Sequence, residues 1–511
     1  MSTVVIAGAG PTGLALACGL AASGVRVRLL EKREEPALTS RALGLQPRGA
    51  EVLDRLGALA DLPDRSVPVA RVVTHVNGTP VADLPVGRPT PLVTRPGLLI
   101  SQAEIEASLR HRLRELGCEV EWGKEIHAVA QDASGVSVSC SGEKIRSSWL
   151  IGCDGAHSRV RKAAGIGFPG VPVAEDFLLA DVRAPLPLPR DAVSVWLRAD
   201  SMLGAFPLPG DGIWRLMAPA RAESVSPGSG GVPDELTRQL RDRTGLKPPV
   251  AEEVLWSSRF RIHRRLASTY RSGRVLLAGD AAHIHSPFGG QGMNTGLGDA
   301  ENLAWKLALV AHGAAPGTLL DTYEAERRPV AREVLASTSS LTRLVVGDTA
   351  LARAARDRVF VPLMNRPLVQ RLVRERSSQL RIHYRGGPLG ARLRERWAPG
   401  PPRAGDRVPD LVCRHPDGSP TRLHAELGAR WALLIPGPGN GAAYRTTAER
   451  HLGPETRVIP LVPCTAGHRC VMLVRPDGHL AWRGSSAASL DAWLRHGLGI
   501  TEPHPPEDDD A

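Results

Sequence analysis

A glycine-rich turn close to the N-terminus has the residue types and spacing that a phosphate-binding loop requires. Residues 8–13 read GAGPTG and stand between an apolar run at 3–7 and an alanine- and leucine-rich run at 12–23. A strand, a glycine turn and a helix in this order let the backbone approach a pyrophosphate, to which the helix N-terminus offers free N–H groups. The residues that we assign to phosphate binding are Gly8, Gly10, Pro11, Thr12 and Gly13.

An acidic residue follows this turn at the distance expected of a ribose contact. Glu31 comes directly after a second predicted strand at 25–30 and lies 18 residues after Gly13. Its carboxylate can accept hydrogen bonds from a ribose hydroxyl, and the neighbouring Lys32 is assigned to the same site. The strand–helix–strand unit predicts a parallel sheet. The turn and the acid together indicate an adenine dinucleotide, without separating NAD from FAD.

Two further segments place acids and glycines directly after apolar runs. Residues 153–161 (CDGAHSRVR) contain Asp154 and Gly155, and residues 274–283 (RVLLAGDAAH) contain Asp280. An acid that ends a strand can bind ribityl hydroxyls, although Asp280 alone would also suit a helix N-cap. The loop at 287–294 (PFGGQGMN) is rich in glycine and precedes a predicted helix. Its backbone can therefore pass close to a flat ring and stabilise negative charge on that ring.

Taken in order, these segments resemble the motifs of class A FAD-dependent aromatic-ring monooxygenases, the para-hydroxybenzoate hydroxylase family. The segment at 153–161 resembles the family's "DG" motif, and the segment at 274–283 resembles its "GD" motif. Residues 324–329 (EAERRP) are similar to the helix signature that follows. Residues 40–44 (SRALG) and Gln102 also match, so the resemblance covers about residues 1–340.

The resemblance implies a set of FAD contacts. Glu31 would hold the adenosine ribose, and Arg41 would contact the pyrophosphate region. Gln102 would reach the ribityl chain, and Asp154 would support both FAD and the reductant. The residues assigned to cofactor binding are Gly8, Gly10, Pro11, Thr12, Gly13, Glu31, Lys32, Arg41, Gln102, Ile126, Asp154, Gly155, Asp280, Pro287, Gly290, Gly292, Met293 and Asn294.

The chemistry that the resemblance implies is insertion of one oxygen atom from O2 through a flavin C4a-hydroperoxide. The sequence holds no second dinucleotide motif, which agrees with NADPH, or NADH in its place, binding transiently to reduce the flavin. Because the flavin carries this chemistry, catalytic side chains stay unassigned, and only the backbone of Pro287 is considered for a place near the flavin. Seven scattered cysteines without a CxxC pair predict no metal site.

A strand-rich region at 176–269 is expected to face the substrate. Its large apolar side chains predict a roomy apolar pocket, although each alone would also suit core packing. They are Trp196, Met202, Phe206, Trp214 and Met217. The para-hydroxybenzoate enzyme deprotonates its phenol through tyrosines, and no tyrosine occurs in 176–269. We therefore expect a large, flat, already acidic phenol or quinone. Such a substrate arrives ionised or is ionised by solvent, and the candidates for a protein base are His263, His283 and His285.

Three functions remain open from the sequence. The first is hydroxylation of a polycyclic aromatic compound of the polyketide or antibiotic kind. The second keeps the fold but changes the attack, which gives a Baeyer–Villiger or epoxidising monooxygenase. The third is a flavin-fold protein that binds a lipid or another protein without oxygen chemistry. The complete loop at 287–294 and the motif at 153–161 argue against this third function.

The predicted fold class is α/β, with a Rossmann-like FAD-binding domain, an inserted β-sheet substrate domain and a C-terminal thioredoxin-like domain. That last domain resembles the appendage of the phenol and polyketide hydroxylases, but residues 435–440 (IPGPGN) replace its redox cysteine pair. Single strands are predicted at 136–140 and 145–151. The FAD-binding domain is expected at 1–175 and, with a helical region, at 270–397. The substrate domain is expected at 176–269, with a contribution from 72–100. The thioredoxin-like domain is expected at 404–500, and a disordered tail at 501–511.

Composition and charge limit the partners. The chain has 511 residues, 42% of them hydrophobic and 23% charged, as expected of a multidomain globular protein. Of the net charge of +11, an excess of +10 falls between 343 and 403, where few aromatics accompany it. A solvated helical face or a subunit contact therefore explains it better than nucleic-acid binding, and a homodimer is left open. Glycine and proline interrupt the uncharged stretch at 2–25, so we expect a cytoplasmic protein without a signal peptide or membrane span.

Overall fold

The computed structural model has the mixed α/β architecture that the sequence predicts. Its sheets fall into a nucleotide-binding part, a large sheet beside it and a C-terminal part. The structure describes residues 2–37, 42–198, 201–220, 231–244, 253–285, 290–346, 350–390, 402–436, 441–453, 458–464 and 470–499.

The elements of secondary structure are numbered in chain order. The helices are α1 Pro11–Ala22, α2 Pro47–Leu56, α3 Gln102–Glu115, α4 Arg159–Ala163, α5 Gly231–Thr244, α6 Gly292–Ala311, α7 Asp321–Val346, α8 Ala350–Ala355, α9 Val361–Leu363, α10 Pro367–Ser377, α11 Leu423–Glu426, α12 Gly441–Leu452 and α13 Ala487–Gly497. The strands are β1 Thr3–Ala7, β2 Arg26–Leu30, β3 Gly44–Leu45, β4 Val67–Pro68, β5 Arg71–Val76, β6 Thr79–Leu84, β7 Leu98–Leu99, β8 Val120–Glu121, β9 Ile126–Gln131, β10 Val136–Cys140, β11 Glu143–Ser147, β12 Trp149–Gly152, β13 Gly170–Arg183, β14 Ala192–Arg198, β15 Ser201–Pro207, β16 Ile213–Pro219, β17 Glu253–Leu266, β18 Arg271–Ser272, β19 Val275–Leu277, β20 His283–Ile284, β21 Val412–Arg414, β22 Pro420–Arg422, β23 Trp431–Leu434, β24 Val458–Pro463, β25 Val471–Val474 and β26 Leu480–Gly484.

The nucleotide-binding part is built on a six-stranded sheet in the order β18-β19-β12-β1-β2-β8. β1 pairs in parallel with β2 and β12, and β12 pairs in parallel with β19. α1 carries no charged residue and packs against α3 and α6, and an apolar surface on all sides is typical of an enclosed helix. The glycine turn therefore lies at the carboxyl end of β1, the edge at which parallel α/β sheets bind ligands.

The predicted single strand at 145–151 is wrong, because the chain changes sheets at Ser148. β11 pairs with β10 in a separate three-stranded antiparallel sheet, whereas β12 joins the parallel sheet beside β1. The Ser148 amide donates to the Thr3 carbonyl oxygen and so marks the crossing point. β11 and β12 are separated by the single residue Ser148, without a glycine or proline to mark the break. The predicted strand at 136–140 is confirmed with the same bounds.

A second sheet of eight strands lies beside the nucleotide-binding part, in the order β20-β17-β13-β16-β15-β14-β5-β6. β5 and β6 come from the N-terminal third of the chain, and β14 pairs with β5 in parallel. Because successive side chains of a strand point to opposite faces, this sheet has two distinct surfaces. α5 covers one surface, where Leu236 and Leu240 pack on Trp196 and Trp214. The other surface faces the glycine turn across a cavity.

The C-terminal part is a six-stranded sheet in the order β22-β21-β24-β23-β25-β26, with α12 and α13 packed together beside it. Its core is continuous with α6, because Trp305 packs edge-to-face on Trp431 at a ring-centroid distance of 5.3 Å. The predicted redox-pair position at 437–440 lies outside the described residues. Among the described helices, none combines the length and the apolarity that crossing a bilayer demands.

Candidate active site

The three glycines of the turn at residues 8–13 serve different purposes. A Cβ on Gly8, which has a φ of +99°, would lie 2.4 Å from the Cys153 carbonyl oxygen. A Cβ on Gly13 would lie 1.9 Å from the Gly8 carbonyl oxygen. Both positions therefore need glycine for the chain to pack on itself. A Cβ on Gly10 would meet no atom within 4 Å, and Gly10 lines the cavity together with Pro11 and Thr12.

Glu31 is a buried carboxylate that holds this turn in shape. It accepts hydrogen bonds from the Ala9 amide at 2.8 Å and from the Arg33 amide and Nε at 3.1 Å each. Burial raises the pKa of Glu31, but these hydrogen bonds and the Arg33 charge outweigh it, so the pKa lies below its usual value of 4.5. Lys32 is exposed and does not line the cavity. The sequence analysis missed Arg33, which does.

One continuous cavity of about 1690 Å³ joins the glycine turn to the uncovered surface of the eight-stranded sheet. α1 begins at its wall with Pro11 and α6 begins there with Gly292, so two helix N-termini lie at the cavity. Pockets for single small ligands usually enclose about 300–1000 Å³. This cavity therefore has room for a dinucleotide and a second ligand.

The acid of the "GD"-like segment lies at the cavity, supported by a buried ionic group. Asp280 lines the cavity, and the amide of the preceding Gly279 donates to Asp299 Oδ2 at 3.1 Å. Asp299 also accepts from His283 Nε2 at 2.6 Å and from Arg327 Nε at 2.7 Å. Burial raises the pKa of Asp299, but its contacts with His283 and Arg327 outweigh it and leave the pKa lowered. His283 is thus engaged in the core, and it is not among the residues that line the cavity.

Asp154 lies behind the cavity wall. Its Oδ2 accepts from the amides of Arg159 at 2.7 Å and Val160 at 3.1 Å, at the beginning of α4. Its Oδ1 is buried and has no hydrogen-bond partner in the structure. The next residue, Gly155, has a φ of +79° and lines the cavity, with open space where its Cβ would be. Gln102 also lines the cavity and donates to Glu106 Oε1 at 2.7 Å.

Asn294 and Ile126, both assigned to FAD binding from the sequence, lie in the protein interior and do not line the cavity. The Asn294 side chain is buried and uses three hydrogen bonds, accepting from the Gln46 amide and donating to the Gly44 and Gly290 carbonyls. It therefore fixes two stretches of cavity wall to each other without lining the cavity. Ile126 begins β9 and packs in the core, away from the cavity. Gly290, Gly292 and Met293 do line it, whereas Arg41 and Pro287 lie outside the described residues.

The predicted substrate pocket needs one correction. Met202, Phe206 and Met217 line the cavity, but Trp196 and Trp214 belong to the opposite surface of the sheet, packed under α5. On β14 the alternation turns Val193, Val195 and Leu197 to the cavity, so Trp196 must point away from it. The same alternation on β16 separates Trp214 from Met217. Both surfaces carry apolar residues, so residue type could not show which one faces the cavity.

Charged and titratable residues that the sequence analysis did not assign also line the substrate side. Arg215 is buried in a bidentate pair with Asp181, at 2.6 and 2.8 Å. Arg259 pairs with Asp176 at 2.7 Å, and both arginines line the cavity. His263 lines it too, and its buried Nδ1 has no hydrogen-bond partner. The sequence signal that could have revealed this polar end of the cavity is Arg215, which interrupts the apolar run of β16.

The tyrosines, in contrast, lie away from the cavity. Tyr270 and Tyr323 are fully buried in the core, and burial raises the pKa of each well above its usual value. The Tyr323 hydroxyl donates to the Leu277 carbonyl, and the Tyr384 hydroxyl accepts from Arg327 Nη1 at 3.0 Å. No tyrosine lines the cavity within the described ranges. In those same ranges, no group of His, Cys, Asp or Glu is arranged to hold a metal ion.

Because a dinucleotide-binding loop and an apolar chamber share one cavity, the fold and the site define an oxidoreductase that acts through a bound nucleotide cofactor. Comparison with known families makes this specific. Residues 1–338 match a family described as "FAD binding domain", and residues 401–500 match one described as "Aromatic-ring hydroxylase, C-terminal". The chain belongs to the family of FAD-dependent aromatic-ring hydroxylases; it is a flavin-dependent monooxygenase, and its cofactor is FAD.

Individual relatives are similar over nearly their whole length. A rifampicin monooxygenase of Streptomyces venezuelae is 36% identical and covers 96% of this chain and 97% of its own. A 6-methylpretetramide 4-monooxygenase of Streptomyces rimosus is 35% identical and covers 96% and 93%. The solved structure of the anhydrotetracycline hydroxylase OxyS from Streptomyces rimosus has a TM-score of 0.79 at 33% identity, covering 98% of this chain and 99% of that one.

Proposed function

We propose that this monooxygenase uses NADPH and O2 to hydroxylate an acidic, polycyclic aromatic substrate bound on the uncovered surface of the eight-stranded sheet. The observation that carries the proposal is the single cavity of about 1690 Å³, which reaches from Gly10 to Met217 without a dividing wall. A cofactor held at one end can therefore act directly on a compound held at the other.

The residues at the cofactor end fit FAD. Gly10 leaves open space where any other residue would place a side chain, so a pyrophosphate can approach the backbone there and meet the N-terminus of α1. We propose that Asp280, which lines the cavity, binds the ribityl hydroxyls, and that Arg33, which lines it beside Glu31, meets the adenosine end. The wall formed by Gly290, Gly292 and Met293 suits the flavin ring. When bound, FAD supplies the reduction of O2 and the transfer of one oxygen atom.

The substrate end combines a broad apolar surface with a polar edge. Its apolar lining suits fused rings, and the paired guanidinium groups of Arg215 and Arg259 suit an ionised phenol or enol oxygen. The apolar residues that line it are Leu179, Val193, Val195, Leu197, Met202, Phe206, Met217 and Phe260. The relatives named above act, as their names state, on rifampicin, 6-methylpretetramide and anhydrotetracycline. We infer a substrate of the same polycyclic aromatic class, as related enzymes of antibiotic and polyketide chemistry use.

Proton handling at this site rests on the substrate and on a histidine. With no tyrosine among the described lining residues, no tyrosine relay can withdraw the phenol proton there. A substrate that is already ionised is electron-rich and needs no such relay. If a proton does move to the protein, His263 and His285 line the cavity and can take it, whereas His283 is held by Asp299.

The test is a screen of flavin reduction by NADPH, and separately by NADH, in the presence of polycyclic phenols, with the product mass measured after turnover. The proposal expects faster reduction with the correct substrate and a gain of one oxygen with the ring system intact. A lactone of the same mass would instead indicate Baeyer–Villiger chemistry. The proposal would be refuted if none of the aromatic compounds stimulated NADPH consumption, or if no product gained an oxygen atom.

Two neighbouring truncations on β16 locate the substrate. Met217→Ala removes a side chain that lines the cavity, and Leu216→Ala removes one that packs under α5. Both should lower stability, by about 2–5 kcal/mol for a core truncation of this size. Only Met217→Ala should raise KM for the aromatic substrate, with the Kd for FAD unchanged. An equal KM change in both variants would place the substrate elsewhere.

A further inference from the structure

The C-terminal part contacts the FAD-binding part through a cluster of fully buried charges. Its centre is the turn between β25 and β26, here called the β25–β26 turn, which contains Arg475, Asp477 and His479. Each of these three residues is at most 1% exposed. Burying charges is costly unless every one of them is paired, and the apolar contact of Trp305 with Trp431 already holds the two parts together. The charges therefore call for a role other than adhesion.

One set of contacts runs from this turn to the middle of α6. Asp477 Oδ2 accepts from Asn302 Nδ2 at 3.2 Å and from Trp305 Nε1 at 3.3 Å. Arg475 donates to both carboxylate oxygens of Glu326, at 2.8 and 3.0 Å. Glu326 in turn accepts from Asn302 at 2.7 Å and from Lys306 Nζ at 2.8 Å. These bonds fix the rotation and the height of α6 relative to the C-terminal sheet.

A second set of contacts runs from the turn to the cofactor end of the cavity. The His479 ring packs on the Tyr384 ring at a centroid distance of 4.3 Å. The Tyr384 hydroxyl accepts from Arg327 Nη1 at 3.0 Å, and Arg327 Nε donates to Asp299 at 2.7 Å. Asp299 holds the Gly279 amide at 3.1 Å, directly before the cavity-lining Asp280.

Both sets of contacts end at groups that would touch FAD. The first holds the body of α6, whose first turn supplies Gly292 and Met293 to the cavity wall. The second holds the backbone that carries Asp280. Arg327 joins the two sets, because its Nη2 also donates to the Thr295 carbonyl in the first turns of α6 at 3.0 Å.

We propose that the C-terminal part, which offers no CxxC pair, positions the FAD site. The β25–β26 turn sets the first turn of α6 through Asn302 and Glu326. It sets the backbone of Asp280 through the Tyr384–Arg327–Asp299 series. Asp477 and Tyr384 are positioning residues in this arrangement, since they act on the cofactor through other groups. The first turn of α6 and the Asp280 backbone are therefore held in a fixed geometry before FAD binds.

The test measures the Kd for FAD of apoprotein, by quenching of flavin fluorescence, in Asp477→Asn and Tyr384→Phe. Tyr384→Phe keeps the ring against His479 and removes only the acceptor for Arg327, so it is the variant that carries the test if Asp477→Asn folds poorly. We expect both to raise the Kd by about fivefold or more and to alter the visible absorption band of the bound flavin. The control is Asp491→Asn, which breaks the 2.6 Å pair with His451 inside the C-terminal part.

Three results decide the matter, measured well below the unfolding temperature of every variant. Asp491→Asn should lower thermal stability but leave the Kd within about twofold of the parent. In an Asp280→Ala background, the effect of Tyr384→Phe on the Kd should become smaller, because the Asp280 carboxylate is gone and only the contact of Arg327 with the Thr295 carbonyl remains to be disturbed. Variants that lose stability yet bind FAD as the parent does would overturn the inference. Its failure is distinct from failure of the proposed function, since no substrate is used.

Discussion

The turn at residues 8–13 allows one sharp prediction, because the same substitution in two places should affect different properties. Gly13→Ala should lower the stability of the protein, and Gly10→Ala should weaken FAD binding. Gly13→Ala places a methyl group 1.9 Å from the Gly8 carbonyl oxygen, so the turn must open by about 1 Å. Such overpacking costs about 1–3 kcal/mol and should lower the stability of the apoprotein. Gly10→Ala places its methyl group in open space, on a backbone with φ −75° and ψ −179° that any residue adopts.

For Gly10→Ala we therefore expect the free energy of unfolding of the apoprotein to stay within about 1 kcal/mol of the parent. Alanine is a poorer N-cap residue than glycine, but it lowers the conformational entropy of the unfolded chain, and the two effects nearly cancel. FAD binding should suffer, since the methyl group stands where the pyrophosphate approaches the amides of α1. Loss of one charge-assisted hydrogen bond is worth about 1.5–3 kcal/mol, which raises the Kd by about 10- to 150-fold.

The assay is urea unfolding of the two apoproteins, with FAD titration of each followed by flavin fluorescence. The reasoning is refuted if Gly10→Ala binds FAD as tightly as the parent does, because the pyrophosphate would then lie elsewhere. It is equally refuted if Gly13→Ala leaves the unfolding midpoint unchanged, because the close contact with Gly8 would then be relieved without cost.

Five further predictions concern the cofactor, the thiols and the proton. Asp280→Ala should weaken FAD binding by about 1–3 kcal/mol in the same titration, and parental affinity would remove Asp280 from the site. Acid precipitation should release all flavin into the supernatant, and flavin retained on the protein would show a covalent bond. Because the folded pKa of Glu31 lies below 4.5, its ionised form stabilises the turn above pH 4.5, and this stability is lost as the pH falls through the folded pKa. FAD retention by the parent should therefore fall in acid. In Glu31→Gln this fall should be shallower. Replacing Cys464 and Cys470 together with Ser should leave turnover within about twofold, and a collapse with the fold intact would reveal a thiol role. The pH profile of hydroxylation should move with the phenol pKa of the substrate, by about two pH units for substrates that differ by about two; a profile that stays fixed would point to His263 or His285 as a base.

Local patterns were sufficient where one strand or helix acts alone. The glycine turn, the helix α1 after it and the strand at 136–140 follow from residues close together in the chain, and the structure has them. Patterns were insufficient where a second surface decides. Trp196 and Met202 are equally apolar, and only the packing of α5 on one face of the sheet shows which of them meets the cavity.

The basic excess at 343–403 illustrates the same limit. Composition suggested a solvated face or a subunit contact, whereas the structure uses several of these arginines internally. Arg356 is 1% exposed and pairs with Asp357 at 2.6 Å, Arg374 donates to the Pro85 carbonyl at 3.2 Å, and both arginines line the cavity. These partners include residues almost 290 positions away along the chain. Pairings over such distances have no local signature in a single sequence.

The two surfaces of the eight-stranded sheet have a consequence for how such enzymes diversify. The side chains that would choose the substrate, such as Met202, Phe206 and Met217, stand on β15 and β16, whose ladder hydrogen bonds run to neighbouring strands of that sheet. They can be exchanged without disturbing the ladder, the glycine turn or α6. On the proposed function, substitutions on this one face of one sheet would change the choice of aromatic compound apart from the residues at the cofactor end. A library confined to that face would sample new specificities while every member keeps its flavin.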